Sequence, residues 1–374
     1  MTTASFALAR LVANARIARL SLVGLAKNVG KTTATNALLQ ALLDERLYEA
    51  SELGLTSLGL DGEAVDALTG LPKPRYIPQA GLLVATTDEL LRQAEGEGAH
   101  FERLQQLPGR TALGPVFLVR VKQPGRVVIA GPTLLRDLRA TLDRWSASSV
   151  KLGIVDGAIN RLGAAAPAIT DACILCVGAS VAATPELATR RSAEVFKRLA
   201  TPQSTHADAY MNMKPQPQAR LLRFSPNQPE SQPFSYSGLA EPEDEARWIV
   251  EQMQDGAKDE MVYFFLHGAL TGELTRALLA SPVRKVPDRQ AELVVEDATK
   301  IFCHHVTLSR LAARGLNTRV ARVVRVLAIT MNPYTPEYSC TPQHFLDALL
   351  RELPEYCPPV IDVVSGIFHS TTTV

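Results

Sequence analysis

The residues best suited to chemistry lie in a short segment that ends in Gly30-Lys31-Thr32-Thr33. An apolar run at residues 20–23 precedes this segment, and apolar residues at helical spacing follow it at residues 34–43. A strand, a turn of small residues and a helix N-terminus together favour anion binding, because backbone N–H groups and the helix dipole face the turn. The segment therefore predicts a loop that binds phosphate groups.

Lys31 and Thr32 are the members of this loop with direct roles in phosphate chemistry. Lys31 would reach the β- and γ-phosphate oxygens as a compact positive charge, and the Thr32 hydroxyl would take one coordination position of Mg2+. No guanine signature of the type N/T-K-x-D follows the loop, so ATP is favoured over GTP. The residues expected to bind ATP are Gly24, Lys27, Asn28, Val29, Gly30, Lys31, Thr32 and Thr33.

Two acidic residues come directly after apolar runs and are expected near the loop. Asp156 ends its run as the acid of a Walker B strand does, and would hold Mg2+ beside Thr32. Asp61 would lie on the same rim, since ligands collect at the carboxyl ends of strands in doubly wound sheets. The predicted catalytic residues are Lys31, Asp61 and Asp156, and the predicted metal ligands are Thr32, Asp61 and Asp156. A structural Asp-Gly turn is the alternative interpretation of both acids.

Several other polar residues have more than one interpretation. Lys73 and Arg75 lie among prolines and would bind phosphate, bind a partner carboxylate or face solvent. Arg161 follows Asp156 and is a candidate for stabilising phosphoryl charge. Asn332 ends a predicted strand, where it would read a base edge, contact a partner or form a turn before Pro333.

The cysteines and histidines give little support for a transition-metal site. Cys173 and Cys176 lie in an apolar run, where a strand would point them to opposite faces, so a buried structural role is favoured over redox or zinc chemistry. Cys303-His304-His305 is expected in an extended segment, where adjacent histidines face opposite ways and cannot bind one ion without distortion. A surface or partner contact is therefore favoured for these histidines.

The alternation of apolar strands with helical patterns predicts the fold class. We expect an α/β protein with a doubly wound, mostly parallel sheet, similar to P-loop NTPases, and a C-terminal α/β extension. A hairpin is expected between residues 116–121 and 126–130. The predicted domains are a nucleotide-binding domain at 1–200, a linker rich in Pro, Gln and Ser at 201–245, and a C-terminal α/β region at 246–374.

Composition excludes some classes of partner. The chain has 374 residues, of which 46% are hydrophobic, enough for a large core. Its formal net charge of +1 gives no basic surface for nucleic acid or anionic lipid, so neither partner is expected. The five cysteines have no regular spacing, which favours a reducing, cytoplasmic location. No apolar run approaches the ~20 residues that a membrane span needs.

Motifs along most of the chain resemble one family, the P-loop subunit of the reactivating factor for lysine 5,6-aminomutase. The phosphate loop has a glycine, five residues and then Gly-Lys-Thr, which is similar to dethiobiotin synthetase and its relatives. The segments that carry the resemblance are A-K-N-V-G-K-T-T at 26–33, G-L-T-S-L-G-L-D-G-E at 54–63, P-K-P at 72–74, L-V-A-T at 83–86, V-D-G-A-I-N-R at 155–161 and N-P-Y at 332–334.

The resemblance implies a protein partner. Such a subunit would use ATP, together with a second reactivase subunit, to open an adenosylcobalamin-dependent aminomutase so that damaged cobalamin exchanges for intact cofactor. The chain lacks the D-x-H-x-x-G motif that ligates cobalamin, so the cobalamin would belong to the mutase. Two alternatives stay open: a ligase of the dethiobiotin synthetase type that activates a carbamate with ATP, and a nucleotide-gated binding module with little hydrolysis.

Overall fold

A computed structural model describes residues 1–61, 75–146, 149–157, 162–213, 219–226, 228–234, 241–254, 261–281 and 290–370. The chain divides into two compact units. One consists of Met1–Ala193 with Arg325–Val374, and the other of Glu194–Val324. This division differs from the ranges taken from the sequence, because residues 325–374 belong with the N-terminal unit.

The described helices and strands follow the α/β pattern. The helices are α1 Thr3–Asn14, α2 Lys31–Asp44, α3 Asp88–Gly96, α4 Leu135–Ser146, α5 Pro185–Leu199, α6 Ala207–Asn212, α7 Pro242–Gln254, α8 Gly272–Ala280, α9 His305–Ala312 and α10 Pro342–Glu352. The strands are β1 Arg19–Gly24, β2 Leu53–Ser57, β3 Leu60–Asp61, β4 Leu83–Thr87, β5 His100–Thr111, β6 Gly114–Gln123, β7 Ile129–Ala130, β8 Leu152–Asp156, β9 Ala172–Gly178, β10 Leu221–Ser225, β11 Gln228–Pro233, β12 Val262–Leu266, β13 Leu270–Thr271, β14 Ala291–Asp297, β15 Ile301–Phe302, β16 Leu316–Arg322, β17 Val326–Asn332, β18 Val360–Ile361 and β19 Phe368–His369.

The first unit is built on a large, mostly parallel sheet. Its strand order is β19-β18-β17-β9-β1-β8-β2-β4-β6-β5, with β18 to β4 parallel and β19, β6 and β5 antiparallel to their neighbours. The predicted α/β class is confirmed. Strand β17, distant in sequence, joins this sheet beside β9.

Helices cover both faces of this sheet because the central strands are apolar on both sides. Leu20, Leu22 and Ile154 belong to the core cluster that includes the buried residues of α1 and α2. On the other face, Trp145 of α4 is packed over Gly54 and Gly153, where an added Cβ would come within 2.8 and 2.9 Å of its ring. Burial on both faces fixes β1 and β8 side by side with their carboxyl ends together.

The second unit has its own sheet. Its strand order is β11-β10-β12-β14-β16, in which β12, β14 and β16 are parallel and β10 and β11 are antiparallel. The range 201–245, taken from the sequence as a linker, contains α6, β10 and β11 within its described residues.

The hairpin predicted from residues 116–121 and 126–130 is wrong. Strand β6 forms its hairpin with β5, Val127 pairs with Tyr76, and β7 pairs with β3. Strand β5 lies at the sheet edge, is rich in polar residues and is only partly buried, so its sequence lacks the apolar pattern of a strand. In the described part of the chain, every helix is too short or too polar to cross a membrane.

Candidate functional site

The loop between β1 and α2 has a backbone suited to anion binding. Gly30 adopts a left-handed conformation, with φ of 82°, and is the N-cap of α2; Asn28 is also left-handed, with φ of 61°. No side chain caps α2, and its first turn contains no acidic residue. The helix therefore begins without a side-chain acceptor of its own at the end where its dipole is positive.

Gly24 leaves room for the path of the Lys31 side chain. A Cβ at position 24 would lie 2.8 Å from Lys31 Cδ and 2.8 Å from Val29 Cγ2, closer than carbon atoms approach. The unusual spacing of the loop thus places a glycine where the lysine stem crosses the end of β1. The space beside Gly24 is filled by the side chains of Lys31 and Val29.

Lys31 and Asp156 meet inside the protein. Asp156 is the last residue of β8 and pairs in register with Leu22 of β1. The distance from Lys31 Nζ to Asp156 Oδ1 is 3.6 Å, and the side chains are 8% and 0% exposed. The sequence predicts Asp156 beside Thr32 as a metal ligand, and that role stays a prediction. The structure places the Asp156 carboxylate next to the Lys31 ammonium group.

Tyr76 is a component of the site that the sequence analysis missed. Its hydroxyl donates a hydrogen bond to Asp156 Oδ2, and the tyrosine is fully buried. Its backbone forms an isolated antiparallel bridge with Val127. An aromatic residue 80 positions from its partner carries no local signal, so only the fold could reveal this contact.

The loop is held by residues from the ends of two other strands. Asn332, at the end of β17, donates from Nδ2 to the Asn28 carbonyl at 2.7 Å. Ser180, just beyond β9, donates from Oγ to the Lys27 carbonyl at 2.7 Å. Asn332 Oδ1 also accepts a hydrogen bond from the Tyr334 N–H at 3.2 Å, as expected of a turn former before Pro333, whereas its bond to the loop backbone was not among the expected uses. These bonds explain how residues 27 and 28 keep their positions.

The remaining predicted loop residues take supporting positions. Val29 is 2% exposed and packs in the core cluster beneath the loop. Thr32 and Thr33 are half-buried in the first turn of α2. Thr32 and Asp156 supply oxygen atoms, which is the donor type that Mg2+ prefers. Among the described residues, no group of three or more His, Cys, Asp or Glu could hold a metal ion.

Some predicted residues lie outside what the structure describes. Asp61 belongs to β3, whose backbone pairs with β7, but its side chain is outside the described part, and its catalytic and metal roles stay predictions. Lys73 and Arg161 lie outside the described residues altogether. Arg75 is described: its guanidinium pairs with Glu97 at 2.6 Å, so a carboxylate of the chain itself engages it.

The cysteine and histidine predictions have different outcomes. Cys173 and Cys176 are fully buried in β9, and burial raises the pKa of each thiol to about 12, so both stay protonated at neutral pH. The predicted buried, structural role is consistent with this. His304 and His305 are not in a strand as expected, because His304 is the N-cap of α9 and His305 begins that helix.

Comparison with known proteins identifies no relative of the chain. No family model, no curated protein and no solved structure matches the chain. The geometry of the loop, Lys31, Asp156 and Tyr76 is therefore the basis for assigning a function.

Proposed function

We propose that the chain binds ATP with Mg2+ at residues 24–33 and is an ATPase of the P-loop NTPase type. The observation that carries this proposal is the path of Lys31, whose stem crosses Gly24 and whose ammonium group lies 3.6 Å from Asp156 at the end of the adjacent strand. A lysine at a glycine-rich helix N-terminus, beside an acid on a neighbouring strand, suits a magnesium triphosphate.

Each residue has a distinct task in this proposal. The backbone N–H groups of the loop and of the first turn of α2 bind phosphate oxygens, and Lys31 adds a point charge at the β- and γ-phosphates. Thr32 and Asp156 hold Mg2+, which neutralises charge on the phosphates when bound. Asn332 and Ser180 keep the loop backbone in place through the carbonyls of Asn28 and Lys27.

The direct test is ATP affinity measured by calorimetry with and without Mg2+. Lys31→Ala should weaken binding at least about tenfold, because a charge-assisted phosphate contact is worth about 1.5 to 3 kcal/mol. Lys151→Ala is a suitable control, since Lys151 is exposed and pairs with Glu52. Equal ATP affinity of the wild-type protein and Lys31→Ala, or no binding by the wild-type protein, would reject the proposal.

We further propose that this ATPase is a subunit of a factor that reactivates an adenosylcobalamin-dependent aminomutase, together with a second subunit. This step rests on the sequence resemblance alone. ATP and Mg2+ would order the loops around Asp156, and hydrolysis would release them, which would bias an interface with the mutase.

The cellular proposal is tested with an aminomutase that carries inactivated cobalamin. The chain and its second subunit should release the damaged cofactor when ATP and Mg2+ are present, and Lys31→Ala should abolish release. ATP turnover that instead requires a small carbamate-forming substrate would support the ligase alternative. ATP binding without hydrolysis in either assay would support the nucleotide-gated module.

A further inference from the structure

The two carboxylate oxygens of Asp156 face different partners. Oδ2 accepts a hydrogen bond from the Tyr76 hydroxyl, and Oδ1 lies 3.6 Å from Lys31 Nζ. Asp156 is fully buried at the end of β8, so both contacts are shielded from water. In such surroundings hydrogen bonds and charge contacts set the orientation of a carboxylate strongly.

Tyr76 is well placed to fix this orientation. It is fully buried, and both of its backbone groups bond to Val127: its N–H donates to the Val127 carbonyl at 3.2 Å, and its carbonyl accepts from the Val127 N–H at 2.9 Å. The backbone therefore holds the tyrosine ring, and the ring places the hydroxyl. Lys31, by contrast, reaches Asp156 through four methylene groups with rotational freedom.

From these contacts we infer that Tyr76 is a positioning residue for magnesium binding. Its hydroxyl holds Oδ2 of Asp156 in place, so that Oδ1 faces Lys31 before nucleotide binds and faces Mg2+ afterwards. The inference rests on the proposed ATP site. It adds that Lys31 moves when Mg2+ takes the place of its ammonium group beside Oδ1, while the Asp156 carboxylate stays where it is.

The chemistry of Mg2+ supports this assignment. Mg2+ demands near-octahedral geometry and is commonly bound through one or two carboxylates, with phosphate oxygens and water in the other positions. A donor on the second oxygen of a ligating carboxylate fixes which oxygen is available, and losing such an outer partner typically lowers metal affinity by about 10- to 100-fold. Tyr76 has the geometry of such a partner.

The test compares Tyr76→Phe with Tyr210→Phe. Tyr210 is also buried, and its hydroxyl donates to the Leu266 carbonyl at 2.9 Å, so each variant loses one buried tyrosine hydrogen bond. Tyr210 belongs to the second compact unit, whereas the loop residues belong to the first. The readout is the affinity for ATP, measured by calorimetry in EDTA and then across a range of Mg2+ concentrations.

Tyr76→Phe should raise the Mg2+ concentration for half-maximal tightening of ATP binding by at least about tenfold. Its ATP affinity in EDTA should stay within about twofold of the wild-type value, because Lys31 and the loop backbone are intact. Tyr210→Phe should change neither quantity. An unaltered Mg2+ dependence of Tyr76→Phe would overturn the inference while leaving ATP binding established. Failure of the wild-type protein to bind ATP would reject the proposed function and this inference with it.

A second measurement does not depend on the stability of Tyr76→Phe. Site-specific 3-fluorotyrosine at position 76 gives a 19F signal that should move when Asp156→Asn is introduced. Addition of ATP and Mg2+ to the otherwise wild-type labelled protein should shift the signal less than Asp156→Asn does, because the contact with Oδ2 persists. A signal that ignores Asp156→Asn would show that the hydroxyl does not hold the carboxylate.

Discussion

Lys31 and Asp156 form a buried ion pair, so removing either charge leaves the other buried without this opposite charge. Taking both charges out of water costs free energy that their mutual attraction only partly offsets. In the proposed ATP complex, the Lys31 ammonium group would leave Asp156 for a phosphate oxygen, and Asp156 would keep its hydrogen bond from Tyr76.

This arrangement predicts strong coupling between the two charges. Lys31→Ala and Asp156→Asn should each lower the free energy of unfolding, Lys31→Ala by about 3 to 5 kcal/mol, because it leaves a buried carboxylate without its cation. The double variant should lose less free energy of unfolding than the two single variants lose in sum. Urea unfolding of the four proteins measures this, and additive losses would contradict a direct interaction.

Gly24 gives a second prediction at the level of one residue. Gly24→Ala should lower ATP affinity at least about tenfold, which corresponds to about 1.4 kcal/mol, because the new methyl group displaces the Lys31 stem. Gly96→Ala is the matched control, since an added Cβ there meets nothing within 4 Å. Calorimetric titration of both variants with Mg2+ and ATP checks the difference. Equal ATP affinities of Gly24→Ala and Gly96→Ala would mean that ATP binding does not depend on the course of the Lys31 side chain past position 24.

The residues that the sequence could identify are those whose signal is local. Gly30, Lys31 and Thr32 are adjacent, and Asp156 follows an apolar run that marks its strand. Ser180 reaches the site just beyond the end of β9, and Tyr76 reaches it beside an isolated bridge to Val127, so nothing near either residue in sequence indicates a role.

At the scale of single elements, β9 lies inside the large sheet between β1 and β17 and is buried along its length. Its apolar sequence predicted a strand, and its length and burial follow that prediction. Its pairing with β17 could not be predicted, because about 150 residues separate the two strands and parallel pairing leaves no local turn signal. Polar edge strands such as β5 are missed for a related reason, since their side chains need not alternate.

The burial of β9 predicts slow thiol chemistry. Cys173 and Cys176, with thiol pKa values raised to about 12 by burial, should not react measurably with Ellman's reagent in the native protein at pH 7, because the thiols are buried and protonated. Cys340 is only half-buried and should react first. Rapid modification of a β9 cysteine, identified by peptide mass spectrometry, would contradict this expectation.

At the scale of the molecule, the chain completes most of its first unit, builds the second and then returns to the first. Strand β17 enters the large sheet directly after that return, and its last residue, Asn332, donates a hydrogen bond to the loop between β1 and α2. The first unit therefore cannot form its complete site from the N-terminal residues alone. A chain ending near residue 200 would lack both β17 and the bond from Asn332 to Asn28.

The two tryptophans of the chain lie in different units and allow each unit to be followed separately. Trp145 is buried over Gly54 and Gly153 in the first unit, and Trp248 packs against Phe234 and Phe264 in the second. Protein labelled with 5-fluorotryptophan should give one 19F signal for each, assigned by Trp248→Phe.

ATP and Mg2+ should shift the unfolding of only one of these signals. At about 100 times the dissociation constant, ligand should stabilise the unit that contains Trp145 by about 2.7 kcal/mol, because it binds that folded unit alone. The urea midpoint of the Trp248 signal should stay unchanged, and Lys31→Ala should abolish the shift of Trp145. Equal shifts of both signals would show that the units unfold as one cooperative body, and a shift of Trp248 alone would place the nucleotide in the second unit.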